Sequence, residues 1–414
     1  MLVDCTFDSP YEASIEANVS SKSNSYLGPG LTVSVTNRNM FGGGEQLRVG
    51  LTGSYEWQTG RNRSSILNSY EVGINSSLAF PRVLAPRFVR LSRRNLNWTR
   101  FTLNANVLNR PHYFNMAQFS ASMNYDWQLR KYFSYTFTPL KISYVKLMRT
   151  TELFDSLMLA NPAVALSFRN QFIPQMGWTM VYDRQMNRDN SINVQASIQE
   201  AGNIFWALYE MCGKKGEKKL FGTPFLQFIK GTAQVVYSRR FRGDHWLVSR
   251  LFGGVAHAYG NAKEVPYSEQ FYVGGANSVR AFTVRSLGPG SYHPQTEGGN
   301  NFDETGTFKF EFNVEYRFPI WGILHGALFL DSGNVWLLKD DPMRPGGKLE
   351  AKNFFKELAV GTGVGLRFDI SMLIIRGDLG IGIHAPYDTG KKGYYNMTSF
   401  KNSLAFHLAI GYPF

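Results

Sequence analysis

The sequence is 414 residues long, carries a formal net charge of +13, and contains 40 glycines and 15% aromatic residues against only 18% charged ones. That length suits either two or three soluble domains or one large β domain, and the glycine and aromatic content favours the second. No run of about 18 apolar residues occurs, which excludes a transmembrane helix but not a spanning barrel, whose strands show only alternating segments of about 10 residues.

The basic balance does not predict a nucleic-acid partner. Apart from Lys214, Lys215, Lys218 and Lys219 the cations are scattered, as on a solvated surface, whereas a nucleic-acid footprint is clustered. Cys5 and Cys212 are too few for a disulfide framework or a metal site. Met1 to Pro10, MLVDCTFDSP, lacks the charged segment and apolar run of an export signal.

In chain order, period-two alternation bounded by Gly, Pro, Asn or Asp clusters predicts sixteen strands. The first, Glu12 to Lys22, is polar and poor in large apolar side chains. The second, from Gly30, sets Leu31, Val33 and Val35 against Thr32, Ser34 and Thr36; the third, Gln46 to Trp57, sets Leu47, Val49, Leu51 and Tyr55 against Arg48, Thr52, Ser54 and Glu56. Strands follow at Tyr70 to Phe80, Thr99 to Asn109, Ala117 to Leu129, Phe133 to Lys146, Pro174 to Arg184, Asn190 to Glu200, Phe228 to Arg239 and Trp246 to His257. One face of each is apolar and the other largely polar, the pattern of a barrel with lipid outside and water inside. Short gaps such as 185–189 alternate with long ones such as 147–172 and 201–225, which have room for short helices. Long loops are extracellular in outer-membrane barrels.

A long connection then holds Gly274 to Tyr292, GGANSVRAFTVRSLGPGSY. A loop of this length in a strand-rich chain is functional or disordered, and its aromatic and β-branched residues argue for packing. It starts on the extracellular side by parity. Phe308 to Phe318, FKFEFNVEYRF, alternates strictly and puts Lys309, Glu311, Asn313, Glu315 and Arg317 on one face; Leu324 to Trp336, LHGALFLDSGNVW, puts Asp331 opposite Leu328 and Leu330. A loop arginine is therefore expected to meet Glu315 and Asp331 on one side of the sheet. Spacing alone does not separate Arg280 from Arg285 for that contact.

Leu358 to Phe368 places Gly361, Gly363 and Gly365 inward with Arg367, and Leu373 to Ile383 places Arg376 and Asp378 inward. The glycines read either as relief of strain in a curved sheet or as room for the folded-in loop; Arg376 and Asp378 read as a wet ion pair or as members of an interior charge network. The last strand, Asn402 to Phe414, alternates to its end with Tyr412 and Phe414 outward. Gly411 and Pro413 weaken it, so together with the polar first strand a poorly zipped seam is expected.

VRAF within GGANSVRAF, NVEYRFP and FLDSGNVW resemble the signature segments of the BamA/TamA superfamily of outer-membrane barrels, which insert and export other proteins. The resemblance covers essentially the whole chain. It implies a 16-stranded antiparallel transmembrane β-barrel over residues 1–414 with a long loop folded into the lumen, in the bacterial outer membrane. The motif's arginine falls on Arg280, followed by Phe282, and its two carboxylates fall on Glu315 and Asp331. Ala281 stands where the family usually has glycine, which raises the question of whether that position needs positive φ. The terminal Tyr412–Pro413–Phe414 resembles the sorting signal of outer-membrane barrels. Relatives carry periplasmic modules before the barrel, and neither these nor an export signal is expected in this stretch.

The expected function is insertion of barrel proteins through a weak lateral seam, with lipids, unfolded client β-barrel or secreted proteins and accessory assembly proteins as partners. Two alternatives stay open: an exporter of the two-partner secretion type, and a passive channel whose basic interior favours anions. No P-loop, nucleophile elbow or glycine fingerprint occurs, and His245, His257, His293, His325, His384 and His407 lie at no metal-ligand spacing. An enzyme, a cofactor and a metal are not expected.

Overall fold

A computed structural model describes residues 9–22, 26–58, 69–84, 97–111, 113–160, 170–213, 219–220, 223–293, 304–370 and 373–414. Within them, sixteen antiparallel strands form one sheet, each hydrogen-bonded to its neighbours in the chain. They are β1 (Tyr11–Lys22), β2 (Tyr26–Asn37), β3 (Gln46–Gln58), β4 (Ser69–Phe80), β5 (Asn97–Arg110), β6 (Phe114–Arg130), β7 (Phe133–Thr150) and β8 (Gln171–Gln185). The second half comprises β9 (Asn190–Ala201), β10 (Phe228–Arg240), β11 (Trp246–Ala258), β12 (Phe308–Trp321), β13 (Leu324–Trp336), β14 (Ala359–Asp369), β15 (Ile374–His384) and β16 (Leu404–Ile410). Among the described residues two α-helices lie in the long gaps, α1 (Glu152–Ala160) after β7 and α2 (Asn203–Met211) after β9.

Each predicted strand is present because alternation sets which backbone face meets lipid and which meets water. Val72 and Ile74 of β4, Leu103 and Val107 of β5, and Leu328 and Leu330 of β13 are exposed outward. The opposite face is polar and paired across strands: Ser197 with Thr232 at 2.7 Å, Thr138 with Asn124 at 2.7 Å, and Asn106 with Glu71 at 3.0 Å. On the outside, near the short turns of β6 to β8, Trp127 packs against Tyr135 at 5.7 Å and Trp178 at 5.2 Å. Such an outward aromatic cluster belongs at a membrane interface.

From β6 onward, connections alternate strictly between short (131–132, 186–189, 241–245, 322–323, 370–373) and long (151–170, 202–227, 259–307, 337–358, 385–403). The short turns close with local chemistry. Asn187 Oδ1 accepts the Asp189 and Asn190 amides at 3.0 and 2.8 Å, an Asx arrangement that reverses the chain without help from other strands.

The last strand departs from expectation. It ends at Ile410, Gly411 takes φ 80°, and the tail turns off the alternating path, so Tyr412 and Phe414 are not outward members of β16. Gly411 still donates to Ile374 O at 2.8 Å, but glycine permits the left-handed turn that ends the strand there, and Pro413 has no amide with which to continue the ladder. Among the described residues no ladder joins β16 to β1. Outward side chains at both edges are correspondingly bare: Ile15 is 74% exposed and Phe406 69%, against 49% for Leu328 in the middle of the sheet.

Candidate functional site

The loop between β11 and β12 lies on the inner face of β12 to β16. Its tip is a compact turn: Gly275 N donates to Phe282 O at 2.8 Å, Ser278 N to Gly275 O at 3.1 Å and Phe282 N to Val279 O at 3.1 Å. Val273, Val279, Ala281, Phe282 and Leu287 join a buried apolar cluster with Val335, Ala359, Ala385 and Met397. Burial of these side chains is the non-directional part of the docking, at about 25 cal/mol per Å² of apolar surface removed from water.

Beside that cluster Arg280 is fully buried. Its backbone N, Nε and Nη2 donate to Asp331 at 3.0, 2.8 and 2.9 Å, and Nη1 donates to Glu315. The guanidinium stacks over the Phe329 ring at 3.6 Å. A planar fork suits this work, since it engages one carboxylate through two nitrogens while a third reaches the next strand.

Three arginines, Arg280, Arg367 and Arg376, and three carboxylates, Glu315, Asp331 and Asp378, are all fully buried, so the inner group is charge-balanced. Arg367 donates to Asp378 at 2.6 Å and to Glu315 at 3.2 Å, and Arg376 donates to Asp378 at 3.3 Å and to Asn277 of the loop. Buried charges are tolerable only when paired and hydrogen-bonded in this way. Arg376 and Asp378 are therefore network members and not an isolated wet pair.

Of the three inward glycines of β14, Gly361 makes room for the loop, whereas Gly363 faces the Phe329 ring and Gly365 the Asp378 and Arg367 side chains; Gly380 of β15 also faces the loop. A methyl at Gly361 would overlap the Ala281 side chain, and one at Gly380 would overlap the Arg280 carbonyl. Ala281 itself is not among the positive-φ residues, so alanine carries no left-handed strain at that position; Arg285, at φ 61°, does.

One alternative is corrected. Arg285 does not reach the carboxylates: it lies 4.8 Å from each of the Tyr267 and Tyr272 rings and donates to the Tyr267 hydroxyl, because the left-handed kink aims it back along its own loop. Phe282, the aromatic of the same motif, is buried in the apolar cluster that seats the loop beside the charge group.

Several partners were not legible beforehand. Arg250 of β11 donates to Asn277 O at 3.0 Å and pairs with Glu311 at 3.1 Å; Asn313 donates to Ser278 O at 3.0 Å and to Asp331 at 2.9 Å. Their inward position followed from strand alternation, but their contact with the loop did not. The loop also reaches further round the wall, where Glu269 accepts from Gln175 of β8 at 2.8 Å and Lys230 of β10 at 2.9 Å. The tail comes to the same place from the other side. Arg317 lies 4.0 Å from the Tyr412 ring and donates to Phe414 O at 3.4 Å, and the Phe414 ring is 6.0 Å from Arg280. Arg250 of β11 also lies 5.9 Å from the Phe414 ring, and residues on β11 and β12 can touch a tail that follows β16 only if the sheet curls around them.

One curled antiparallel sheet, apolar outside and polar inside, with an arginine-held loop on its inner face, defines an integral β-barrel protein of the outer membrane. Residues 11–414 match the Omp85 superfamily domain, and the chain belongs to that superfamily. Over 88 residues, or 20% of the chain, it is 38% identical to the outer membrane protein assembly factor BamA of Neisseria meningitidis serogroup B (strain ATCC BAA-335 / MC58), and the match spans 11% of that protein's length. The fold is similar to BamA from Haemophilus ducreyi lacking POTRA domains 1–3, with a TM-score of 0.61 and 14% identity over 98% of this chain and 71% of that one. It is also similar to CdiB from Acinetobacter baumannii, with a TM-score of 0.50 and 11% identity over 97% of this chain and 59% of that one.

Proposed function

We propose that this chain is a single barrel domain that inserts β-barrel proteins into the outer membrane by pairing their strands at a seam between β1 and β16. The observation that carries the reading is an asymmetry in the wall. Loop contacts tie β8 and β10 to β16 together from within, whereas the two terminal strands lack a shared ladder among the described residues.

In hydrocarbon each unpaired backbone group costs several kcal/mol. A free strand edge offered by the barrel satisfies an incoming strand's amides and carbonyls as it enters, a form of β-augmentation. The barrier falls without covalent chemistry, so no catalytic residue or cofactor is required. Arg280 holds the loop and the second half of the wall as a fixed platform while the β1 side moves. Clients would be unfolded barrel or secreted proteins, with accessory assembly proteins and the surrounding lipids as further partners.

The test is depletion of the protein in its own cells, followed by quantitative outer-membrane proteomics, with rescue by wild type or Arg280→Ala. A broad fall in other barrels, restored by wild type and poorly by the variant, is expected. Unchanged barrel levels would sink the insertase reading. Likeness to CdiB favours a second reading, a dedicated exporter, for which one secreted protein would be lost while barrels persist.

A further inference from the structure

On the outer wall of β3 to β7 lies an apolar groove of about 480 Å³, walled by Leu51, Ile74, Val107, Phe119 and Tyr144 and bounded by Lys146. It exists because Ala105 and Ala117 interrupt rows of larger outward side chains: Ala105 is paired with Ile74 and Phe119, and Ala117 with Val107 and Lys146. That pairing places Lys146 on the lipid-facing side. It is exposed, and its ammonium has no carboxylate partner among the described residues. Arg149, also exposed, is opposite Asn115 in register, two residues along β6 from Ala117.

Lys146 sits four residues before the end of β7. At about 3.3 Å per residue and a tilt of about 40° it lies roughly 10 Å below the rim on the long-loop side. A lysine at that depth runs its stem along apolar surface and lifts its ammonium toward the headgroups. The outward residues of β4 to β7 include no carboxylate among those described; the acidic residues that follow β7, Glu152 and Asp155, lie in α1 beyond the strand's end, where Asp155 accepts from the Thr150 hydroxyl at 3.2 Å.

The apolar surface continues upward. Phe172 is the register partner of Tyr144 and packs against it at 6.5 Å, and Phe205 of α2 packs edge-on against Phe172 at 6.3 Å. Helix α2 thus lies against the outside of the wall and leaves Ile204, Leu208 and Met211 exposed at i, i+4 and i+7, the spacing of one helix face.

We propose that this surface is a binding site for a phosphorylated, multiply acylated glycolipid of the outer leaflet. One acyl chain fills the groove, the α2 face covers neighbouring chains, and Lys146 with Arg149 engages a phosphate. An acyl groove ending in unpaired cations matches an amphiphile with apolar tails and an anionic head, and its place on the long-loop side selects the outer leaflet.

The test uses the purified full chain in detergent, with native mass spectrometry and thermal unfolding as readouts. The probes are diphosphorylated hexa-acyl lipid A, the same lipid without phosphates, and phosphatidylglycerol. Wild type should bind the phosphorylated glycolipid at least five-fold more tightly than either alternative. Lys146→Glu and Lys146→Gln should lose most of that preference, while Lys391→Glu, in a distant loop, should keep it; gel migration with and without heating verifies that each variant is folded. Equal binding of the dephosphorylated lipid, or full retention by a folded Lys146 variant, would overturn the proposal. Equal binding of phosphatidylglycerol would overturn the choice of a glycolipid.

Discussion

His407 Nε2 donates to the backbone carbonyl of Arg280 at 2.8 Å, joining residues 127 positions apart in the chain. Because the acceptor is main chain, the contact holds the loop tip to β16 independently of the arginine side chain. His407→Ala leaves that carbonyl without its donor, at a cost of about 1–3 kcal/mol. Hydrogen exchange should speed up across Leu404–Ile410, while the loop stays resistant to protease through its Asp331 contacts. Unchanged exchange in β16 would mean the bond holds nothing.

Removing the arginine itself is more severe. In Arg280→Ala, Glu315 keeps Arg317 and Arg367, but Asp331 loses its only cationic partner among the described residues and keeps two neutral donors, Asn313 Nδ2 and the residue-280 amide. Breaking a buried pair in this way costs about 3–5 kcal/mol, which at 1.4 kcal/mol per tenfold is on the order of a hundred-fold or more in loop opening. Trypsin cleavage after Arg285 should accelerate accordingly. Arg280→Lys should fall between the two, since an ammonium cannot engage both carboxylates as a fork does. Wild-type resistance in the alanine variant would disprove a latch.

Ala281 and Gly361 form a reciprocal pair in which one side chain occupies the space the other lacks. Gly361→Ala should destabilise the docked loop by about 1–3 kcal/mol through overpacking, and adding Ala281→Gly should restore it. A double-mutant cycle on thermal unfolding in detergent reads the coupling. Additive effects would place the loop elsewhere.

The edges give a prediction that does not involve the loop. Alternate amides in Tyr11–Lys22 and Leu404–Ile410 should exchange far faster in lipid nanodiscs than those in Leu324–Trp336, which has ladders on both sides. Protection of β1 equal to that of β13 would indicate a closed seam and remove the basis for strand templating.

Period two is a local property: successive side chains leave the backbone on opposite sides whatever the rest of the chain does. The sequence by itself therefore determined sixteen strands, their outward and inward faces, and the inward placing of Glu315, Asp331, Arg367, Arg376 and Asp378. The superfamily motifs singled out Arg280 where spacing left Arg285 equal to it. Only the tertiary structure decided which inward groups meet. The loop's path is set by burial of Val279, Phe282 and Leu287 against residues from β13, β14 and the 385–403 loop, and that path aims Arg280 at the carboxylates and Arg285 away from them. The inward turn of Tyr412 and Phe414 was hidden for the same reason. Alternation continues in the letters through Phe414, but a glycine at φ 80° and an arginine on β12, four strands before β16 in the sheet order, end it in space. Contacts between residues far apart in sequence depend on how the sheet curls, and no local period records that.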